Sequence, residues 1–143
     1  MNAYNSIKLE NQLCFPLYAI SREIIKLYKP VLDPFNLTYT QYITMLVLWE
    51  EEEITFKKLG EKLHLDSGTL TPVLKKLEAM QYIHKYRSKE DDRVVIVELT
   101  KEGYLLKEKI IDVPNQVACN IDLSSEDSQS LKKILDKLLT KFD

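Results

Sequence analysis

The sequence predicts a mainly helical fold with one small β-hairpin, arranged as a winged helix-turn-helix between helical ends. Three observations predict it. Apolar residues recur at steps of three and four over most of the 143 positions, with only three Gly and five Pro to interrupt them. The period changes once, around Tyr82–Leu99, from helical spacing to that of strands. Capping residues stand ahead of several helical stretches at the spacing a helix start requires.

Leu9, Leu13, Leu17, Ile20, Ile24, Leu27 and Val31 form one near-heptad stripe, which predicts a first helix with Pro16 kinking it or marking its first turns. Pro30 and Pro34 should stop it. The stripe is long for so short a chain, so its burial calls for a partner subunit. Thr38 and Gln41 have the spacing of a capping box, and Tyr42, Met45, Leu46 and Trp49 give the inner face of a second helix. The acidic run Glu50–Glu53 ends it. Thr55 caps a short third helix carrying Phe56, Leu59 and Leu63, and His64-Leu65 is a tight link. Asp66 or Ser67 caps a fourth helix with Leu70, Val73, Leu74 and Leu77 inward. Tyr82–Arg87 and Val94–Leu99 read as strands joined by the polar turn Ser88–Asp92. Thr100 caps a fifth helix that Pro114 should kink. Ser124 and Asp127 start the last, with Leu131, Ile134, Leu135, Leu138, Leu139 and Phe142 on one face.

The expected organisation is a single domain over 1–143. Residues 38–99 form the winged helix-turn-helix, and 1–37 with 100–143 form a dimerisation region. No run of about 20 apolar residues suggests a membrane span, and no basic-then-apolar leader opens the chain, so a cytoplasmic protein without a membrane partner is expected. In a reducing compartment Cys14 and Cys119 are not a structural staple by default. No metal site and no cofactor are expected, because His64 and His84 stand apart and there is no Cys-X-X-Cys pair or glycine-rich phosphate loop.

The net charge of -2 gives no global pull toward nucleic acid, but its distribution is uneven. Ile54–Arg93 holds nine basic and six acidic residues, a net of +3, against -5 for the rest. In a winged helix-turn-helix the fourth helix enters the major groove of double-stranded DNA. Its outward residues are Ser67, Gly68, Thr69, Thr71, Pro72, Lys75 and Lys76. Hydroxyls near the helix start reach base edges or phosphates, and lysines suit phosphates. Arg87 and Arg93 lie in the hairpin; Arg93 suits a narrow minor groove, and Asp91 could hold its guanidinium in place.

Four segments carry a resemblance: Leu9-Glu10-Asn11-Gln12-Leu13-Cys14-Phe15, Leu37-Thr38-Tyr39, Leu65-Asp66-Ser67-Gly68-Thr69-Leu70-Thr71-Pro72, and Glu90-Asp91-Asp92-Arg93. Together they resemble the MarR family. More narrowly they resemble its organic hydroperoxide resistance regulators (OhrR type), with their relatives in Gram-positive cocci. The Asp-Arg wing is general to the family. The Gln-Leu-Cys-Phe segment and the helix start from Asp66 are specific to its thiol-sensing branch. The resemblance covers nearly the whole chain. It implies a homodimeric repressor that binds a pseudo-palindromic operator and leaves it when the N-terminal cysteine is oxidised by organic hydroperoxides. The family's reactive cysteine falls on Cys14, and its tyrosine partners on Tyr18, Tyr28 and Tyr39. Its second cysteine, in two-cysteine members, falls on Cys119, which implies an intersubunit disulfide.

These residue types fit the chemistry. Only a thiolate attacks a peroxide oxygen. No Lys or Arg immediately neighbours Cys14, so stabilisation must come from hydrogen bonds, with some help from a nearby helix start. Tyrosine hydroxyls supply those bonds while their rings favour organic peroxides over hydrogen peroxide. Tyr18 is one helical turn from Cys14. Tyr28 is 14 positions on, roughly 21 Å along an unbroken helix, so it can serve only from a second subunit with the first helices crossing antiparallel. The first oxidation product is a sulfenic acid. Cys119 is the candidate resolving thiol within the chain; the bland alternatives are a small apolar role for Cys119 and resolution by a low-molecular-weight thiol. Three competing functions remain. One is a repressor of the same fold controlled by a non-covalent small-molecule ligand, another is a thiol peroxidase, and the last is an interaction module without DNA affinity.

Overall fold

The computed structural model describes residues 2–143. Two short 3-10 turns, Ala3–Ile7 and Leu9–Asn11, precede the first helix, α1, which runs Cys14–Leu32. Leu9 and Leu13 therefore lie ahead of the helix, not within it. Side-chain amides hold the tighter turns: Asn11 Nδ2 donates to the Asn5 carbonyl at 2.7 Å, and Gln12 Nε2 to those of Ser6 and Lys8 at 2.8 and 2.6 Å. Pro16 is the third residue of α1 and does not kink it, because the first four N–H groups of a helix have no partner to lose. Pro30 sits in the last turn, and Asn36, in the left-handed region at φ 57°, closes the following 3-10 turn.

The second helix, α2 (Tyr39–Glu51), starts with the capping box read from the sequence. The Gln41 N–H donates to Thr38 Oγ1 at 3.4 Å, and the Thr38 N–H to Gln41 Oε1 at 3.0 Å. Its inner face differs from the expectation: Leu48 and Thr44 are fully buried and Gln41 nearly so, Trp49 is half-buried, and Leu46 is 40% exposed. Glu52 ends the helix at φ 63°. A short strand that the sequence did not announce follows, β1 (Glu53–Thr55). Three residues at the end of an acidic run carry no period; pairing with β3 makes the strand. Thr55 then caps α3 (Phe56–Leu63), His64 turns the chain at φ 54°, and Asp66 caps α4 (Ser67–Ala79) by accepting from the Thr69 N–H at 2.8 Å.

The hairpin is β2 (Ile83–Arg87) and β3 (Val95–Leu99). The sheet order is β1-β3-β2, all antiparallel, with Ile54 opposite Val97 and Lys85 opposite Val97 on the other side. Thr100 caps α5 (Lys101–Ile110) through the Gly103 N–H at 3.0 Å. A Cβ on Gly103 would collide with the Tyr82 carbonyl, so glycine lets α5 lie against the start of the wing. Pro114 ends α5 outright instead of kinking it. It cannot donate to the Ile110 carbonyl, and a separate helix, α6 (Val113–Ile121), begins with Pro114 in its first turn. The last helix, α7 (Ser125–Leu139), is capped by Ser124, which accepts from the Asp127 N–H at 3.0 Å.

One continuous core joins these parts. Met45, Leu48, Leu59, Leu70, Leu74, Leu77, Ile83 and Val97 meet Leu32 of α1, Leu106 and Ile110 of α5, and Val113 and Val117 of α6. Burial at this scale stabilises by about 1.5–3 kcal/mol per large aliphatic side chain. Trp49 ties α2 to α5, its Nε1–H donating to the Gly103 carbonyl at 2.9 Å. By contrast α7 buries no residue in the single chain, and on α1 Leu17, Ile20 and Ile25 are exposed. No helix among the described residues is long and apolar enough to cross a membrane.

Candidate thiol site and nucleic-acid interface

Cys14 is the first residue of α1 and is exposed. It thus stands at a helix start, whose unpaired N–H groups carry partial positive charge. Tyr18 follows one turn later and is 60% exposed. Its hydroxyl accepts from Arg22 Nη1 at 3.2 Å, and the Arg22 guanidinium lies 5.5 Å from the ring centroid. Cys14, Tyr18 and Arg22 thus form one row along α1, with a cation two turns from the sulfur.

Tyr28 and Tyr39 are brought together elsewhere, where the end of α1 meets the start of α2. Their ring centroids are 4.7 Å apart, and Tyr42 packs on Tyr28 at 5.8 Å. Burial pushes the phenols of Tyr28 and Tyr39 up, and that of Tyr42 up to about 12. All three stay protonated at neutral pH and can act as donors. Sequence reasoning missed Tyr42 as a member of this cluster and Arg22 as a partner of Tyr18. The signals were present: Tyr39 and Tyr42 are three apart, and Tyr18 and Arg22 four apart, on helices.

Because α1 is unbroken, the tyrosine pair and Cys14 of one chain stand at opposite ends of it, roughly 21 Å apart along the axis. The fold therefore splits the four residues into two groups, Cys14 with Tyr18 and Tyr28 with Tyr39. Cys119 lies on α6, a helix that packs against α1, and is exposed. That does not fit a small buried apolar role within the single chain.

The helix α4 presents Ser67, Gly68, Thr69, Thr71, Pro72, Lys75 and Lys76 to solvent while Leu70, Val73, Leu74 and Leu77 face the core. Thr71 Oγ1 donates to the Ser67 carbonyl at 2.7 Å, which directs that hydroxyl inward to the helix. At the wing tip Asp91 holds Arg93 with two side-chain bonds, from Nε at 3.1 Å and Nη2 at 3.2 Å, and accepts the Arg93 N–H as well. Arg93 keeps the Asp91 carboxyl below the usual carboxylate range. The Arg93 side chain stays 88% exposed, presented outward by its own turn. Arg87 is used differently: its Nη1 donates to the Asp92 carbonyl at 2.7 Å and braces the hairpin.

An open cleft of about 1220 Å³ lies elsewhere, lined by Lys57, Lys58, Lys62, Leu70 and Phe142 among others. It shares no residue with the thiol row or the tyrosine cluster. No group of three or more metal-ligating side chains converges among the described residues.

Comparison with known proteins gives these features a context. A family model described as "Transcriptional regulator SarA/Rot" matches residues 26–110. The organic hydroperoxide resistance transcriptional regulator of Bacillus subtilis (strain 168) is 53% identical over 138 residues, covering 96% of this chain and 94% of that protein. Among solved structures, reduced AbfR bound to DNA superposes with a TM-score of 0.80 at 32% identity over 99% of both chains. AbfR, from Staphylococcus epidermidis, is also solved in a disulfide-formed state, with a TM-score of 0.67 at 33% identity over 94% of this chain and 95% of that one.

Proposed function

This chain belongs to the organic hydroperoxide resistance branch of the MarR-type winged-helix regulators, as a redox-sensing DNA-binding transcriptional repressor, and from that premise we propose that its homodimer grips a pseudo-palindromic operator while Cys14 is reduced and releases it when an organic hydroperoxide oxidises that thiol. The observation that carries the reading is the unbroken α1, which separates Cys14 from Tyr28 and Tyr39 within one chain. Two first helices crossing antiparallel bring the tyrosine pair of each subunit to the Cys14 of the other. The exposed apolar faces of α1 and α7 supply the surface such a dimer buries.

Chemically, the Cys14 thiolate attacks the terminal oxygen of the hydroperoxide. An S–O bond forms, the O–O bond breaks, and the alkoxide takes a proton to leave as an alcohol, giving a sulfenic acid. Tyr18, Tyr28 and Tyr39 donate hydrogen bonds to the sulfur and to the departing oxygen. The Cys119 thiol of the partner chain then displaces the hydroxyl as water, forming an intersubunit disulfide. Disulfide-formed AbfR, a relative of the same fold, supports that step. Because the sulfur sits at the subunit boundary, the new bond changes the spacing of the two α4 helices, and the half-site match is lost.

In the bound state Ser67, Gly68, Thr69, Thr71 and Pro72 approach the major groove, Lys75 and Lys76 meet phosphates, and Arg93, steadied by Asp91, enters the minor groove with Arg87 bracing the wing. The test is operator binding by wild type and Cys14→Ser with and without cumene hydroperoxide, read on reducing and non-reducing gels. Wild type should let go and cross-link through Cys119, while Cys14→Ser should hold. Peroxide-induced release by Cys14→Ser would refute the reading and favour control by a non-covalent ligand.

A further inference from the structure

We propose that Arg22 is a positioning residue of the thiol sensor, acting on Cys14 through the Tyr18 hydroxyl. The proposal rests on Cys14 being the sensor. Its starting point is the row on α1: each step from Cys14 to Tyr18 to Arg22 rises about 6 Å and turns about 40° around the axis, so the three side chains overlie one another on one face. Long helical side chains lean toward the N-terminus, over the residue one turn back. Arg22 leans in this way over Tyr18, with its Nη1 at 3.2 Å from the phenol oxygen and its charge 5.5 Å from the ring centre.

The direction of that hydrogen bond matters. A guanidinium has donors and no acceptor, so the Tyr18 oxygen must accept. Its own O–H proton remains free for another acceptor. A phenol whose oxygen receives a charge-assisted bond is itself a stronger donor, because the two bonds polarise in the same sense. A sulfur anion one turn back on the helix is the acceptor this proton suits. The arrangement carries the influence of a cation to Cys14 although no Lys or Arg adjoins it in sequence. It also keeps the cation off the sulfur itself, so the approach of an apolar peroxide is not blocked by a hydrated charge.

Alkylation of Cys14 by iodoacetamide, followed by the mass of its peptide, tests this together with oxidation by cumene hydroperoxide. Near neutral pH, Arg22→Gln should slow both reactions about threefold, the size expected when one polarised donor weakens by roughly half a log unit. The difference should narrow as the pH is raised into the alkaline range. Arg22→Lys keeps a donor and a charge and should recover most of the rate. In a Tyr18→Phe background Arg22→Gln should add nothing. Unchanged rates in Arg22→Gln, or an equal slowing in the Tyr18→Phe background, would overturn the role. If Cys14→Ser still responds to peroxide, the sensor reading itself fails; if only the Arg22 variants are silent, this inference fails alone.

Discussion

The body around α4 and the sheet and the helical ends of the chain solve the same burial problem in opposite ways. In the body, Leu70, Leu74, Leu77 and Val97 have no exposed surface. On α7, a helix with its own apolar stripe, Ile134 is 63% and Phe142 beyond its end 71% exposed. The outer half of α1 behaves like α7: Ile20 is 54% exposed while Leu32, at its other end, is buried. The body is thus complete within one chain, whereas the ends leave apolar faces bare, the faces that the proposed dimer would bury. The proposed sensor thiol, Cys14, lies on the incomplete side, and the proposed DNA-reading helix, α4, on the complete side. In the proposed reading, chemistry at the subunit boundary would move the two heads without unfolding them.

This contrast can be broken by substitution. Leu74→Ala removes a fully buried side chain from the body and should cost about 2–5 kcal/mol in chemical denaturation, with no dependence on protein concentration beyond that of wild type. Placing Asp at both Ile134 and Leu138 should leave the helical signal of the body intact, give monomers in sedimentation equilibrium, and weaken operator binding about a hundredfold, since a lone head reads one half-site. A stable dimer in that double variant would show that α7 is not part of the interface.

Smaller effects sharpen the same picture. Arg93→Ala should weaken operator binding roughly tenfold, reduce its salt dependence and leave peroxide reactivity alone. Thr38→Ala opens the capping box of α2 and should lower stability by about 1 kcal/mol, measured by denaturant midpoint. The smallest effect concerns alkali. The folded Tyr42 holds its proton up to about 12, above the ordinary phenol value, so its contribution to stability is full below the ordinary value and is lost as pH rises through that range. Thermal midpoints of wild type should fall more steeply across that window than those of Tyr42→Phe.

Legibility from sequence followed the reach of each signal. Caps at Thr38, Thr55, Asp66, Thr100 and Ser124 were readable because a cap involves residues three apart. The inner face of α4 was readable because four aliphatic residues repeat at helical spacing. The strand β1 was not, since only its pairing with β3 defines it. The expectation places Leu46 inward rather than Leu48 and the structure reverses them, because both lie in a run apolar on several faces. At the thiol site the candidates were named from motif resemblance, while the row with Arg22 and the packing of Tyr42 on Tyr28 required side-chain positions.

By itself the sequence determined the order of the main helices and the hairpin, most of their caps and the core stripe of α4, because these depend on neighbours within one or two turns; β1 and the break between α5 and α6 lay outside its reach. Tertiary structure alone decided which stripes find a partner inside the chain and which are left bare. It also decided that α1 runs straight past Pro16, so that Tyr28 is held away from its own Cys14. Those outcomes depend on contacts between residues far apart in sequence, whose geometry no local period encodes.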